Sequence, residues 1–95
     1  MITLVTFHLR DEAAEAEFLE ADKKMQADFA YQQPGFRRRT TAKNADGQWL
    51  VVELWASKEA ADQAGARWSE DPVAQEFMGY VDQSTLKSSS YVERG

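Results

Sequence analysis

Apolar and polar positions alternate from Ile2 to Leu9, with Thr3, Val5, Phe7 and Leu9 on one face and Ile2, Leu4, Thr6 and His8 on the other. Both faces are largely apolar, which predicts a central strand. From about Glu12 to Ala30 the period lengthens: Ala14, Phe18, Ala21, Met25 and Phe29 recur at three- and four-residue spacing, while Glu15, Asp22 and Lys23 lie elsewhere on the wheel. That is an amphipathic helix. Pro34 and Gly35 stop it, the first lacking a backbone donor and the second free to take positive φ. Phe36 to Lys43, with Arg37, Arg38 and Arg39, carries more charge than a buried strand tolerates and predicts an edge strand. Asn44-Ala45-Asp46-Gly47 connects it as a hairpin to a third strand, Gln48 to Ala56. In that strand Leu50, Val52 and Leu54 share one face, and Trp49, Val51, Glu53 and Trp55 the other.

Ser57 is placed to cap a second helix from Lys58, with Ala60, Ala64 and Trp68 at helical spacing. Ser69-Glu70-Asp71-Pro72 interrupts it; Asp71 caps a continuation that begins at Pro72 and carries Val73, Phe77, Met78 and Val81. Thr85 to Glu93 reads as a fourth strand. The order strand, helix, strand, strand, helix, strand is the βαββαβ arrangement of ferredoxin-like α+β folds: a four-stranded antiparallel sheet with two helices on one face. The first and third strands then lie side by side in the centre, apolar on both faces. Nothing else in the chain can cover the second face, which predicts a homodimer in which two sheets pack face to face. A monomer with a partly apolar outer sheet is the alternative.

Composition narrows the functions. At 95 residues there is room for one domain, spanning 1–95. Without cysteine, and with one histidine, the chain can form no disulfide, no thiol nucleophile and no multi-histidine metal cage of its own. No metal site is expected. A net charge of -5 and a pI near 4.8 argue against nucleic acid as a partner. The apolar start is not preceded by basic residues and is ended by Arg10, Asp11 and Glu12, unlike a signal peptide. No stretch approaches the ~20 apolar residues of a membrane span. No membrane partner is therefore expected, and a cytoplasmic location is.

Two short motifs carry a resemblance. Gln33-Pro34-Gly35-Phe36 is similar to the Pro-Gly-Phe turn entering the second strand, and Glu53-Leu54-Trp55-Ala56-Ser57 to the Glu-x-Trp-x-Ser strand end, of the antibiotic biosynthesis monooxygenase-like families in the dimeric α+β barrel superfamily. With the element order, the resemblance covers nearly the whole chain and is strongest for uncharacterised bacterial members. It implies a homodimer with a pocket in each subunit between sheet and helices, used on aromatic or polyketide-type molecules, sometimes with oxygen and no cofactor. Heme degradation, which in one branch depends on a histidine of the second helix, does not fit Lys58 to Asp82, which has none. Val51 stands where cofactor-free monooxygenase relatives can carry asparagine.

His8 and Glu53 are the candidate catalytic residues. A carboxylate among Trp49, Val51 and Trp55 requires a partner, and His8 on the neighbouring strand could be that partner, its tautomer fixed by Glu53 so that it acts as base towards a phenolic or enolic proton. The two could instead make a structural hydrogen bond or lie on opposite faces. Trp55, Trp68 and Phe77 are the candidate substrate-binding residues, since aromatic walls suit planar ligands; core packing is their alternative role. Arg37, Arg38 and Arg39 read as solvated edge charge, with alternation sending Arg38 opposite the other two. The expected function is a cofactor-independent monooxygenase-like activity on a small aromatic or polyketide-type molecule. The alternative is a non-catalytic small-ligand-binding or stress-related dimeric α+β barrel. A pocket that opens to solvent and joins His8 to Glu53 would favour the enzyme, and one filled by Trp55, Trp68 and Phe77 the alternative.

Overall fold

A computed structural model describes residues Met1–Gly95. Four antiparallel strands, β1 (Ile2–Leu9), β2 (Phe36–Lys43), β3 (Trp49–Trp55) and β4 (Val81–Tyr91), form one sheet in the order β2-β3-β1-β4. The helices are α1 (Glu15–Asp28), α2 (Lys58–Trp68) and α3 (Pro72–Met78), with a single 3-10 turn at Ala30–Gln32. The architecture is the expected ferredoxin-like α+β fold, with β1 and β3 central and the charged β2 at an edge.

Helix starts follow from side chains that satisfy otherwise unpaired backbone donors. Ser57 Oγ accepts from the Ala60 amide at 3.1 Å, and Asp71 Oδ1 accepts from the amides of Val73 and Ala74 at 2.9 and 3.0 Å. The interruption at Ser69–Asp71 therefore divides the predicted second helix into two separate helices, α2 and α3. In α1 the start moves inward: Asp11 and Glu12 lie in a turn, and Ala14 precedes the helix without a side-chain cap. Gly35 has φ +81°, and a Cβ there would sit 2.6 Å from that of Ala60. The absence of a side chain lets the turn entering β2 lie against the start of α2, where the Ala56 amide donates to the Gly35 carbonyl at 2.7 Å.

The core lies between the sheet and the helices. Phe7, Phe18 and Met25 are almost wholly excluded from water, and Trp49, Val51, Phe29 and Phe77 pack with them. Burying each such side chain is worth about 1.5–3 kcal/mol. Val81, expected on the last helix, is instead the first residue of β4, opposite Leu9 and buried in this core. α3 stops at Met78, and the chain turns through Gly79 and Tyr80 to begin β4 four residues earlier than the pattern suggested. A register shift between Thr6 and His8 breaks the β1–β4 pairing. The outer sheet face carries Ile2, Leu4, Leu50, Val52 and Leu54, all only half-buried in the single chain.

Candidate functional site

Strand alternation decides which side chains meet beneath the helices. The β1–β3 register pairs Thr3 with Glu53, Val5 with Val51 and Phe7 with Trp49, so these six share the helix-facing side. His8 follows Phe7 and belongs to the outer face. The expected His8–Glu53 pair does not form, because an even position of β1 and an odd position of β3 point to opposite sides of the sheet in this register. His8 is paired with Asp82 across β1 and β4, and its backbone amide donates to Thr85 Oγ1 at 2.9 Å.

The partner that Glu53 requires is Arg39, directly opposite it across β2 and β3. Arg39 Nη1 donates to Glu53 Oε2 at 2.9 Å, and Arg39 Nη2 to Asp22 Oδ1 of α1 at 2.7 Å. Asp22 Oδ2 also accepts from Thr41 Oγ1 at 3.0 Å and Gln26 Nε2 at 2.8 Å. The side chains of Arg39 and Asp22 are 3% and 5% exposed, so Arg39 is no solvated edge charge, whereas Arg37 and Arg38 are exposed. A one-residue bulge between Phe36 and Arg38 explains the difference. Under strict alternation Phe36 and Arg39 would face opposite ways. The extra residue lets both turn inward, Phe36 against Trp55 with ring centroids 5.0 Å apart and Arg39 against Glu53.

These side chains border a half-open cavity of about 310 Å³ between the sheet and α2. Glu53, Trp55, Trp68 and Phe77 all line it, and His8 does not. Its walls are mostly apolar: Val5, Phe7 and Val51 from the sheet, Ala61, Ala64 and Trp68 from α2. Trp68 packs edge-on against Phe29 and Phe77, with centroids 5.3 and 5.9 Å apart. Arg39 and Glu53 are the only charged residues in the lining, and the Arg39 guanidinium sits 5.3 Å from the Phe77 ring centre. Two buried donors of lining residues, Arg39 Nε and Trp55 Nε1, have no hydrogen-bond partner. Buried polar groups are rarely left so.

No family profile matches the sequence, and no curated protein matches it. Solved structures do. SnoaB, a cofactor-independent oxygenase from Streptomyces nogalater, superposes with a TM-score of 0.77 at 25% identity, over 99% of this chain and 93% of its own. A candidate antibiotic biosynthesis monooxygenase from Nitrosomonas europaea gives a TM-score of 0.70 at 18% identity, over 97% of this chain and 96% of its own. The chain thus shares the fold of SnoaB and of antibiotic biosynthesis monooxygenases. An Arabidopsis thaliana protein shares the fold alone, with a TM-score of 0.75 at 15% identity over 99% of this chain and 95% of its own.

Within this monooxygenase-like fold, the residues that sequence reasoning missed are Arg39 and Asp22. The signal for Arg39 was present but indirect: a carboxylate on an aromatic strand face needs a cation, and β2 is the adjacent charged strand. The bulge that selects Arg39 over its neighbours has no glycine to mark it. Asp22, which the apolar pattern sets apart from the core positions, stands four residues after Phe18 and three before Met25 and is buried with them.

Proposed function

We propose that the protein is a cofactor-independent oxygenase acting on a small aromatic or polyketide-type molecule held in the cavity between the sheet and α2. The observation that carries this reading is an aromatic-walled cavity of about 310 Å³ whose only charged lining residues are one ion pair, Arg39 and Glu53. Apolar enclosures with a few convergent polar groups are the usual form of a small-molecule site. The similarity to SnoaB, which is a cofactor-independent oxygenase, supports the same class of chemistry.

In this reading Trp55, Trp68 and Phe77 hold the rings of the substrate, and Glu53 receives a phenolic or enolic proton while Arg39 stabilises the oxyanion that remains. An electron-rich anion of that kind reacts with oxygen directly, so the substrate itself supplies the electrons. His8 has no part in the cavity of its own subunit. We further propose that the protein works in the cytoplasm as a homodimer joined through the outer sheet faces. The half-buried Ile2, Leu4, Leu50, Val52 and Leu54 support that arrangement.

A second reading, a non-catalytic small-ligand-binding or stress-related dimeric barrel, is favoured by one observation: Glu53 is tied to Arg39, and no histidine accompanies it. Oxygen uptake in the presence of naphthalenediols and hydroxyanthrones, with no cofactor added, separates the two. Uptake above the autoxidation blank that tracks substrate loss supports the oxygenase. Saturable quenching of tryptophan fluorescence without uptake overturns the oxygenase in favour of the binding protein, and neither response overturns both.

A further inference from the structure

α2 is fastened at both ends and faces the cavity in between. At its head Ser57 caps the first turn, and Gly35 lies against Ala60. At its other end Trp68 packs against Phe29 and Phe77, Arg67 Nη1 donates to Gln33 Oε1 at 2.9 Å, and the Trp68 carbonyl accepts from Gln75 Nε2 at 2.9 Å. The space beneath the middle of the helix is therefore set by the size of the side chains there rather than by movement of the helix. Those side chains are small: Ala61, Ala64 and Gly65 all line the cavity.

Gly65 is the one that the fold does not call for. Glycine weakens a helix interior relative to alanine, because it gives up more backbone freedom on folding. A positive φ or a crowded neighbour can require it nonetheless, as at Gly35. Neither applies at Gly65, which lies within α2 in ordinary helical backbone and where a Cβ would meet nothing within 4 Å. Of the lining residues, only Gly65 on α2 and Leu86 and Ser88 on β4 are exposed, the rest being buried or half-buried. Ser88 is paired with Val5, on the helix-facing side of the sheet. The cavity thus opens between the middle of α2 and the edge strand β4, with Gly65 on one lip and Leu86, 37% exposed, on the other.

We propose that Gly65 is the threshold of this opening: its missing side chain keeps clear the passage by which a ligand enters, and so fixes the width of molecule that the protein admits. The inference rests on the cavity being a ligand site, as proposed above, and names the residue that governs access to it. Helix stability given up with no return in packing is the pattern of a position held for function. A threshold also differs from a wall in its kinetics. A side chain at a threshold slows entry and exit alike and leaves the bound state as it was, whereas one that touches the bound ligand changes affinity, mostly through dissociation.

The test follows tryptophan fluorescence quenching by stopped flow, with Trp55 and Trp68 in the lining as reporters. The probes are an ortho-acetylnaphthol and the narrower ortho-acetylphenol. Gly65→Leu should slow both association and dissociation of the naphthol about tenfold, change its Kd by less than about threefold, and leave the rates of the phenol within about twofold of wild type. Gly65→Ala should raise the midpoint of thermal unfolding by about 4 °C, since no packing depends on the glycine. Leu86→Phe, an exposed change on the opposite lip, should slow the naphthol in the same way, and it decides the matter if Gly65→Leu does not fold. Unchanged naphthol rates in Gly65→Leu, or faster dissociation with unchanged association, overturn the proposal and leave the cavity as a ligand site. A Gly65→Ala protein less stable than wild type overturns it too, by showing that the fold requires the glycine. If wild type binds neither probe, this proposal and the ligand-site reading fall together.

Discussion

Asp22 of α1 and Arg39 of β2 are joined by a 2.7 Å ion pair almost wholly removed from water, and this pair anchors the first helix to an edge strand of the sheet. Removing charges from water costs several kcal/mol each, which is recovered only when every member keeps its partners. Arg39→Met leaves Asp22 buried without its cation, so it should destabilise the fold by about 3–5 kcal/mol. Urea denaturation at fixed protein concentration checks this. Adding Asp22→Leu to Arg39→Met should restore part of the loss, because an apolar replacement of similar volume leaves no orphaned charge behind in α1. A double variant no more stable than the single would show that the pair acts through something other than burial of charge.

Gly35 and Gly47 both have positive φ, at +81° and +83°, yet only Gly35 lies against a neighbour. Gly47→Ala should therefore cost only the left-handed backbone penalty, about 1–2 kcal/mol. Gly35→Ala adds a clash with the Ala60 side chain at the head of α2 and should cost more. Thermal or chemical denaturation of the two variants side by side gives the difference, and equal losses would mean that the turn can move away from α2.

The contrast between those glycines also shows what can be read from a sequence. Alternation and helical spacing recover the succession of strands and helices along the chain, the caps at Ser57 and Asp71 and the helix break before Pro72, because each depends on neighbours a few residues away. Pro34 and Gly35 announce a turn, but nothing local says that Ala60 lies against it. The cavity was legible in part for the same reason. Glu53, Trp55, Trp68 and Phe77 stand out as an unpaired carboxylate and large rings, and all four line it. The partner of Glu53 was misassigned because the sheet register, a relation between distant segments, sets the face of His8, and because the bulge at Arg37 inverts the alternation that would have hidden Arg39.

His8 provides a direct test of that register. Its position on the outer face, following the core residue Phe7, separates it from the cavity by the thickness of the sheet. His8→Gln should leave the affinity of an ortho-acetylnaphthol for the cavity unchanged within about twofold, the range expected of substitutions that touch no binding group. A tenfold loss measured by calorimetry would mean that His8 reaches a ligand, whether in its own subunit or across an interface.

Leu4 and Val52 face each other across β1 and β3 on the outer side of the sheet, and both are half-buried with nothing from their own chain above them. If two sheets pack face to face as proposed, a charge at this point would be buried between them without a partner. The desolvation of a lone carboxylate in such a place costs several kcal/mol per subunit, and a twofold arrangement applies the cost twice. Val52→Glu should then reduce the mass measured by sedimentation from twice 10.8 kDa to the single-chain value. In an isolated chain the same substitution faces water and should change stability by no more than about 1 kcal/mol. A wild-type protein that sediments at 10.8 kDa at micromolar concentration would remove the sheet-to-sheet interface and leave the apolar outer face to be explained by some other partner.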